Sequence, residues 1–357
     1  MRIARKSILC SAMMVLAVQA AFGASAKTLE IYFIDVEGGQ STLLITPAGQ
    51  SLLVDAGFPG DGTFQSKPGD PRKARDPGRI AAVARDAGLT QIDYLLSTHF
   101  HADHSGGVPE LAQLIPIRTF IDHGSVVPEA DMNVPGTVDV YKAYTTARAA
   151  GRHLAPKPGD RLPLRGIDAV VVSAAGSVLT KPLAGGGERN QTCGATGLAA
   201  QEVYENPQSM GVLVRFGKFR FLDIGDLSGK PLFDLVCPRN IVGPVDVYLV
   251  AHHGGADAAE PATLTAFRPR VAILNNGRVK GAAPQTLTSL LNAQGVEDVW
   301  QLHRSELPGA ANFADDRLAN LDEQTAHWIK VSASDDGTFR VTNGRTGAVV
   351  NYAAASR

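Results

Sequence analysis

Along the chain, hydrophobic positions come in short runs cut by glycine, proline and polar turns. "TLEIYFIDV" (28–36), "STLLIT" (41–46) and "SLLVDAG" (51–57) are strand-like segments separated by Gly-Gly and Pro-Ala-Gly turns, which predicts an antiparallel meander. "GRIAAVARDAGL" (78–89) has helical spacing and stops at Gly88, and "IDYLLSTH" (92–99) is an apolar strand. "GGVPELAQLI" reads as a helix, "IRTFIDHG" (117–124) as a strand and "DVYKAYTTARAAG" (139–151) as a helix ending in glycine. In the second half "GIDAVVVSAAG", "MGVLVRFGKFRFLDIGD" and "VDVYLVAHHGG" are strands, the middle one a hairpin turning at Gly217-Lys218. "PATLTAFRP", "VAILNNG", "PQTLTSLLNAQG" and "VEDVWQL" continue as helix, strand, helix, strand. Meander and β-α alternation in both halves predict an α/β chain of two mixed sheets layered between helices.

Two Gly/Pro-rich stretches, 58–78 and 183–207, are long for plain connections. They are candidate substrate loops or lids, with surface insertions the alternative. The start of the chain reads as an address. Arg2, Arg5 and Lys6 precede an apolar run from Ile8 to Phe22, and Ala24-Ser25-Ala26 offers a small-residue cleavage site. Residues 1–26 are thus expected to be a secretory signal peptide that carries Cys10 away, leaving a periplasmic or secreted domain, 27–357, with a C-terminal extension. No later segment approaches the roughly 20 apolar residues of a membrane span. Cys193 and Cys237 would remain, with a disulfide between them left open. The formal net charge of -1 provides no global field for nucleic acid or an anionic membrane.

The candidate chemistry lies in "STHFHADHSGG" (97–107), where His99, His101, Asp103 and His104 crowd together at the end of an apolar strand. His99 and His101, two apart on extended backbone, face the same side. Imidazoles and a carboxylate at this density suit a zinc-like ion, and four groups from one short loop fit two neighbouring ions better than one. Water between two such cations is hydroxide near neutral pH, and the same charges polarise a carbonyl or phosphoryl oxygen. Asp103 is placed to orient that nucleophile or pass its proton to a leaving group. Arg72, Lys73, Arg75 and Arg79 read first as a solvated charge run balanced by Asp70 and Asp76, and second as an anion clamp.

This HxHxDH loop resembles the signature of the metallo-β-lactamase superfamily. "LLVDAG" (52–57), "RFLDIGDL" (220–227) and "VYLVAHHGG" (247–255) are similar, in order, to that family's other landmarks. "DVEGGQSTLLI", "NPQSMGVLVRFGKFRFLDIGDL" and "HHGG" are most similar to one branch, the domain ending bacterial DNA-uptake channel proteins and its stand-alone relatives. The resemblance implies a four-layer αββα sandwich and an exported dinuclear hydrolase acting on an ester, phosphodiester or amide. Carried over, His99 and His101 bind the first metal, Asp103 and His104 the second, and Asp226 bridges them. The last histidine falls on His252 or His253, with His252, the first to emerge from its strand, preferred and His253 beside it.

Many relatives place a further histidine before the later hairpin. Here that position holds "ENPQSMG", so Asn206, Ser209 and the more distant His123 become candidate metal or substrate contacts, while His153, His303 and His327 read as structural. Arg278 and Lys280, which follow "AILNNG", are candidates to approach the site. The expected cofactors are two divalent ions, zinc before manganese or iron. The expected substrate is a small molecule or phosphodiester, since no basic groove marks a strong nucleic-acid binder. The competing class is a metal- or ligand-binding member of the fold without turnover, and no motif speaks to protein partners.

Overall fold

The computed structural model describes residues 27–63, 69, 72–195 and 203–356, so the expected signal segment 1–26 lies outside the described residues. Strands β1 (Leu29–Phe33), β2 (Thr42–Ile45) and β3 (Ser51–Val54) form the meander, with Ile31 opposite Leu44 and Leu43 opposite Leu53. β4 (Ile92–Leu96), β5 (Ile117–Ile121) and β6 (Arg152–Leu154) add on in parallel beyond β3. Between them run α1 (Arg75–Asp86), α2 (Ala102–Ser105), α3 (Val108–Leu114), α4 (Ala130–Asn133) and α5 (Thr137–Arg148). α1 begins before the expected Gly78. Pro77 in its first turn has no N–H to leave unsatisfied, and the Asp76 carboxylate accepts the Phe58 N–H at 2.8 Å.

The second sheet begins with β7 (Asp168–Ala174), β8 (Ser177–Val178) and the hairpin β9 (Gly211–Phe216)–β10 (Phe219–Asp223), which turns at Gly217-Lys218 as expected. β11 (Val247–Leu249), β12 (Val271–Leu274), β13 (Asp298–His303) and β14 (Leu318–Asn320) follow parallel to β10. α6 (Gly229–Val236), α7 (Pro261–Phe267) and α8 (Pro284–Asn292) fall between these strands. β15 (Ile329–Ala333), β16 (Phe339–Asn343) and β17 (Val349–Tyr352) return to the first sheet, β15 pairing antiparallel with β1. Among the described residues the sheets have nine and eight strands.

Alternation along the strands sorts side chains into three apolar layers. Leu29, Ile31 and Phe33 face the second sheet, where the Phe33 and Phe221 rings meet edge-on with centroids 5.7 Å apart. Leu53 and Leu95 face the other way onto Ile80 and Leu111 of α1 and α3, and Leu213 and Leu222 pack on Leu232 of α6 and Leu287 of α8. Each fully buried Leu, Ile or Phe contributes about 1.5–3 kcal/mol of transfer free energy. The result is the helix–sheet–sheet–helix sandwich that the resemblance implies. Its consequence for chemistry is that β3, β4, β10 and β11 release their chains where Asp55, the 97–107 loop, Asp226 and His253 come into contact. Cys193 and Cys237 are joined in a disulfide with Cα atoms 5.8 Å apart. Among the described residues no helix is long and apolar enough to cross a membrane.

Candidate metal centre

Each arm of the site is aimed by the backbone that carries it. Beyond β4 the chain bends at Thr98 and His99, then passes through an extended His101 (φ -65, ψ 153) into α2, so Asp103 and His104 occupy a helical turn at the strand end. Gly107 allows this close approach, because a Cβ there would stand 2.2 Å from the Ala56 carbonyl oxygen. Just past β3 stands Asp55 (φ +60), whose carboxylate accepts the Thr98 N–H and hydroxyl at 2.7 Å each and lies 2.7 Å from His104 Nδ1. That contact makes Nδ1 the donor and turns the Nε2 lone pair inward. Past β10, Gly225 (φ +53) packs where a Cβ would stand 2.8 Å from Thr98, bringing Asp226 to the loop. Past β11, His252 and His253 both adopt left-handed φ, +51 and +55, which is uncommon away from glycine and clusters at functional sites.

Asp103 Oδ2, His104 Nε2, Asp226 Oδ2 and His253 Nε2 form a buried group of four. His104 Nε2 lies 3.5 Å from Asp103, 3.2 Å from Asp226 and 3.2 Å from His253. His253 Nε2 lies 3.1 Å from Asp103 and 3.3 Å from Asp226. Four donors held about 2.0–2.1 Å from one tetrahedral zinc-like ion stand about 3.3–3.4 Å apart, so the spacing fits a single divalent ion. A second convergence lies alongside, where His99 Nε2 and His101 Nδ1 approach to 3.0 Å. His99 Nδ1 faces the hydroxyls of Thr98 at 3.1 Å and Ser209 at 3.4 Å.

Positive neighbours gather around the two carboxylates of the site. Burial alone would raise the Asp103 and Asp226 carboxyls, yet both are held well below the usual range, Asp103 by Lys280 and His104, Asp226 by His104 and His253. Burial also opposes charge on His104, but Asp226, Asp103 and Asp55 raise it well above an ordinary imidazole. His99 moves the other way, lowered by burial and by its neighbours His104 and His101, and so offers the neutral imidazole that metal binding needs. Asp223, behind the site, is pushed up to about 7 by burial. Buried ionised carboxylates packed this closely are costly unless a cation or proton compensates them.

The profile of the metallo-β-lactamase superfamily matches residues 35–172, the stretch that holds the HxHxDH loop. The likeness covers less than half of the chain. Among solved structures, a mutant of CmlA β-hydroxylase is 15% identical over 78% of this chain and 53% of its own, with a TM-score of 0.44. CmlA is a diiron β-hydroxylase from Streptomyces venezuelae, and the chain spans about half the length of the CmlA structures it matches. Tm1679, a metal-dependent hydrolase of the β-lactamase superfamily, is 13% identical over 76% of this chain and 95% of its own, with a TM-score of 0.42. A Cronobacter sakazakii metallo-β-lactamase mutant is 14% identical over 67% and 86%, with a TM-score of 0.38. No curated protein matches the chain.

The metallo-β-lactamase-type sandwich brings His99, His101, Asp103, His104 and Asp226 together. It places His253 in the group of four, where the sequence favoured His252. Two successive left-handed residues send the second imidazole, buried, into the cluster. His252 stands at its edge, with Nε2 3.9 Å from Asp226 Oδ2 and Nδ1 3.1 Å from Asp257. Asn206 Nδ2 lies 3.4 Å from His252 Nε2, while Ser209 stands behind His99. His123 is engaged outside the group of four, 3.1 Å from the Glu205 carboxylate, which also accepts the N–H groups of Phe100 and Val127. No local signal marked Glu205, whose partners lie 82 and 105 residues away in sequence.

Lys280 does reach the site, bonding Asp103 Oδ2 and, at 2.5 Å, the Gly38 carbonyl. Arg278 instead pairs outward with Glu306 and Glu323. Arg75 is engaged by Asp76, and Arg79 by Asp35 and Glu37. His303 joins the latter pair at 2.7 and 3.2 Å, making a second buried acid–histidine group whose charge Arg79 already offsets. His153 rests 2.9 Å from Asp122.

Proposed function

We propose that this chain is an exported, dinuclear metal-dependent hydrolase acting on a phosphodiester or related ester. The observation that carries the reading is the convergence of four buried donors, with His104 and His253 each 3.1–3.5 Å from the carboxylates of both Asp103 and Asp226. Divalent ions bound here would supply Lewis acidity toward a carbonyl or phosphoryl oxygen and lower the proton affinity of water. The chain's own residues do the rest. Asp55 and Thr98 hold the His104 tautomer, and Asp103 orients the attacking water and carries its proton. Lys280, bonded to Asp103 and partly exposed, meets an anionic oxygen of the substrate.

The preference for phosphodiesters rests on the likeness of the segments around 35–45, 206–227 and 252–255 to the DNA-uptake branch. Export rests on the pattern of residues 1–26 and on the Cys193–Cys237 disulfide, which suits an oxidising compartment. Binding without turnover is a second reading. It is favoured by the lack of a histidine just before β9, where Asn206 and Ser209 stand instead.

Metal analysis of purified protein, with a hydrolysis screen on bis-p-nitrophenyl phosphate, a lactone and nitrocefin, separates the readings. Two ions per chain and phosphodiester cleavage that His104→Ala abolishes are the expected result. Two ions without turnover on any of these compounds favour the binding reading. A protein that takes up no divalent ion refutes both.

A further inference from the structure

Resting on the metal-centre reading above, we infer that the tandem histidines divide between two ions. His253 completes the second ion's shell, and His252 supplies the third imidazole of the first, beside His99 and His101, with Asp226 reaching both.

The second ion's four ligands are complete without His252. Asp226 spends only one oxygen there, and its Oδ1 is buried without a hydrogen-bond partner. An orphaned carboxylate oxygen in a buried site costs about 1–3 kcal/mol or more unless something binds it. His99 Nε2 and His101 Nδ1 converge to 3.0 Å, and neither His123 nor His153 joins them, each being held by its own carboxylate.

His252 meets the requirements of a ligand. Asp257 lies 3.1 and 3.3 Å from Nδ1, the carboxylate–histidine arrangement that leaves Nε2 with its lone pair. Nε2 is the nitrogen on the Asp226 side, 3.9 Å from Oδ2, and a neutral amide, Asn206, stands 3.4 Å from it. A surface histidine–aspartate pair would account for the Asp257 contact alone. It would not require the left-handed backbone at His252, which the His252 N–H bond to the Gly225 carbonyl at 3.1 Å holds beside Asp226. The chain thus replaces the histidine lacking before β9 with one from the far end of the site.

The test is cobalt(II) binding by the full chain, read as equivalents bound, stepwise affinities by chelator competition, and the visible absorption of each bound ion. Wild type should take up two ions. His252→Ala should keep one tight ion and weaken the other at least about 10-fold, matching His99→Ala, and the double variant should be no worse than either single one. His253→Ala should weaken the opposite ion. Asp257→Asn, which spares the ligand itself, should weaken the same ion as His252→Ala by about 10- to 100-fold and serves if His252→Ala fails to fold. The inference is overturned if wild type binds one ion only. It is overturned equally if His252→Ala or Asp257→Asn leaves both affinities within twofold, or if His252→Ala and His253→Ala weaken the same ion. Failure of wild type to bind any ion would instead sink the metal-centre reading itself.

Discussion

Replacing Asp55 by Asn tests whether the hydrogen bond behind a ligand controls the ligand. Asp55 sits at φ +60, a conformation that Asn adopts about as readily, so the backbone is spared. The amide oxygen of Asn can still accept the Thr98 N–H that now reaches Asp55 at 2.7 Å. Its NH2 group, however, would meet His104 Nδ1, now 2.7 Å from a carboxylate oxygen, donor against donor. The imidazole relieves this by moving its proton to Nε2, where the metal needs a lone pair. Losing such an outer hydrogen bond costs about 10- to 100-fold in metal affinity, or about 1.4–2.7 kcal/mol. Competition against a chromophoric chelator near neutral pH, with circular dichroism to verify folding, measures it. An affinity within twofold of wild type would show that His104 is not a ligand or that Asp55 does not set its tautomer, and the assembled geometry would lose its meaning.

Three further outcomes are expected. Chelation should lower the thermal midpoint, since an ion bound at about 1,000 times its Kd contributes about 4 kcal/mol to the folded state; an unchanged midpoint in excess chelator contradicts the site. Reducing the Cys193–Cys237 bridge, which spans 44 residues, should remove about 2–4 kcal/mol, read as a shift of the denaturant midpoint. Burial pushes Asp76 from 3.8 up to about 6 against its bond to Arg75, so the folded state holds this proton more tightly than the unfolded one. That contribution is present below about pH 4, is lost as pH rises through about 6, and amounts to about 3 kcal/mol. Urea titrations across that window should show the loss in wild type and its absence in Asp76→Asn; parallel curves would refute it.

Much of the sandwich was legible because its signals are local. The hairpin turn at Gly217-Lys218, the strand into His99 and the helices ending in glycine each follow from a few neighbouring residues. The donor-dense loop at 97–107 was conspicuous for the same reason, and the fold gathers its side chains with Asp226 and His253. The order within the tandem histidines was not. It depends on two successive positive φ values, which nothing in "AHHGG" requires for the histidines themselves. The confinement of His123 was hidden because Glu205 comes from a segment far along the chain. The disulfide was open for a similar reason, since the approach of Cys193 to Cys237 is a tertiary fact. The clamp, the second reading of the basic run at 72–79, could be weighed against the first only once Asp76 was seen to take Arg75 and Asp35 and Glu37 to take Arg79.

Pairing of β15 with β1 ties residues 29–33 to residues 329–333, some three hundred positions later. A chain cut short before Ile329 would turn β1 into an edge strand, with one flank of unpaired N–H and C=O groups, a template for another molecule's strand. Nonsense or frameshift lesions near the 3′ end should therefore yield aggregates rather than a trimmed but folded chain.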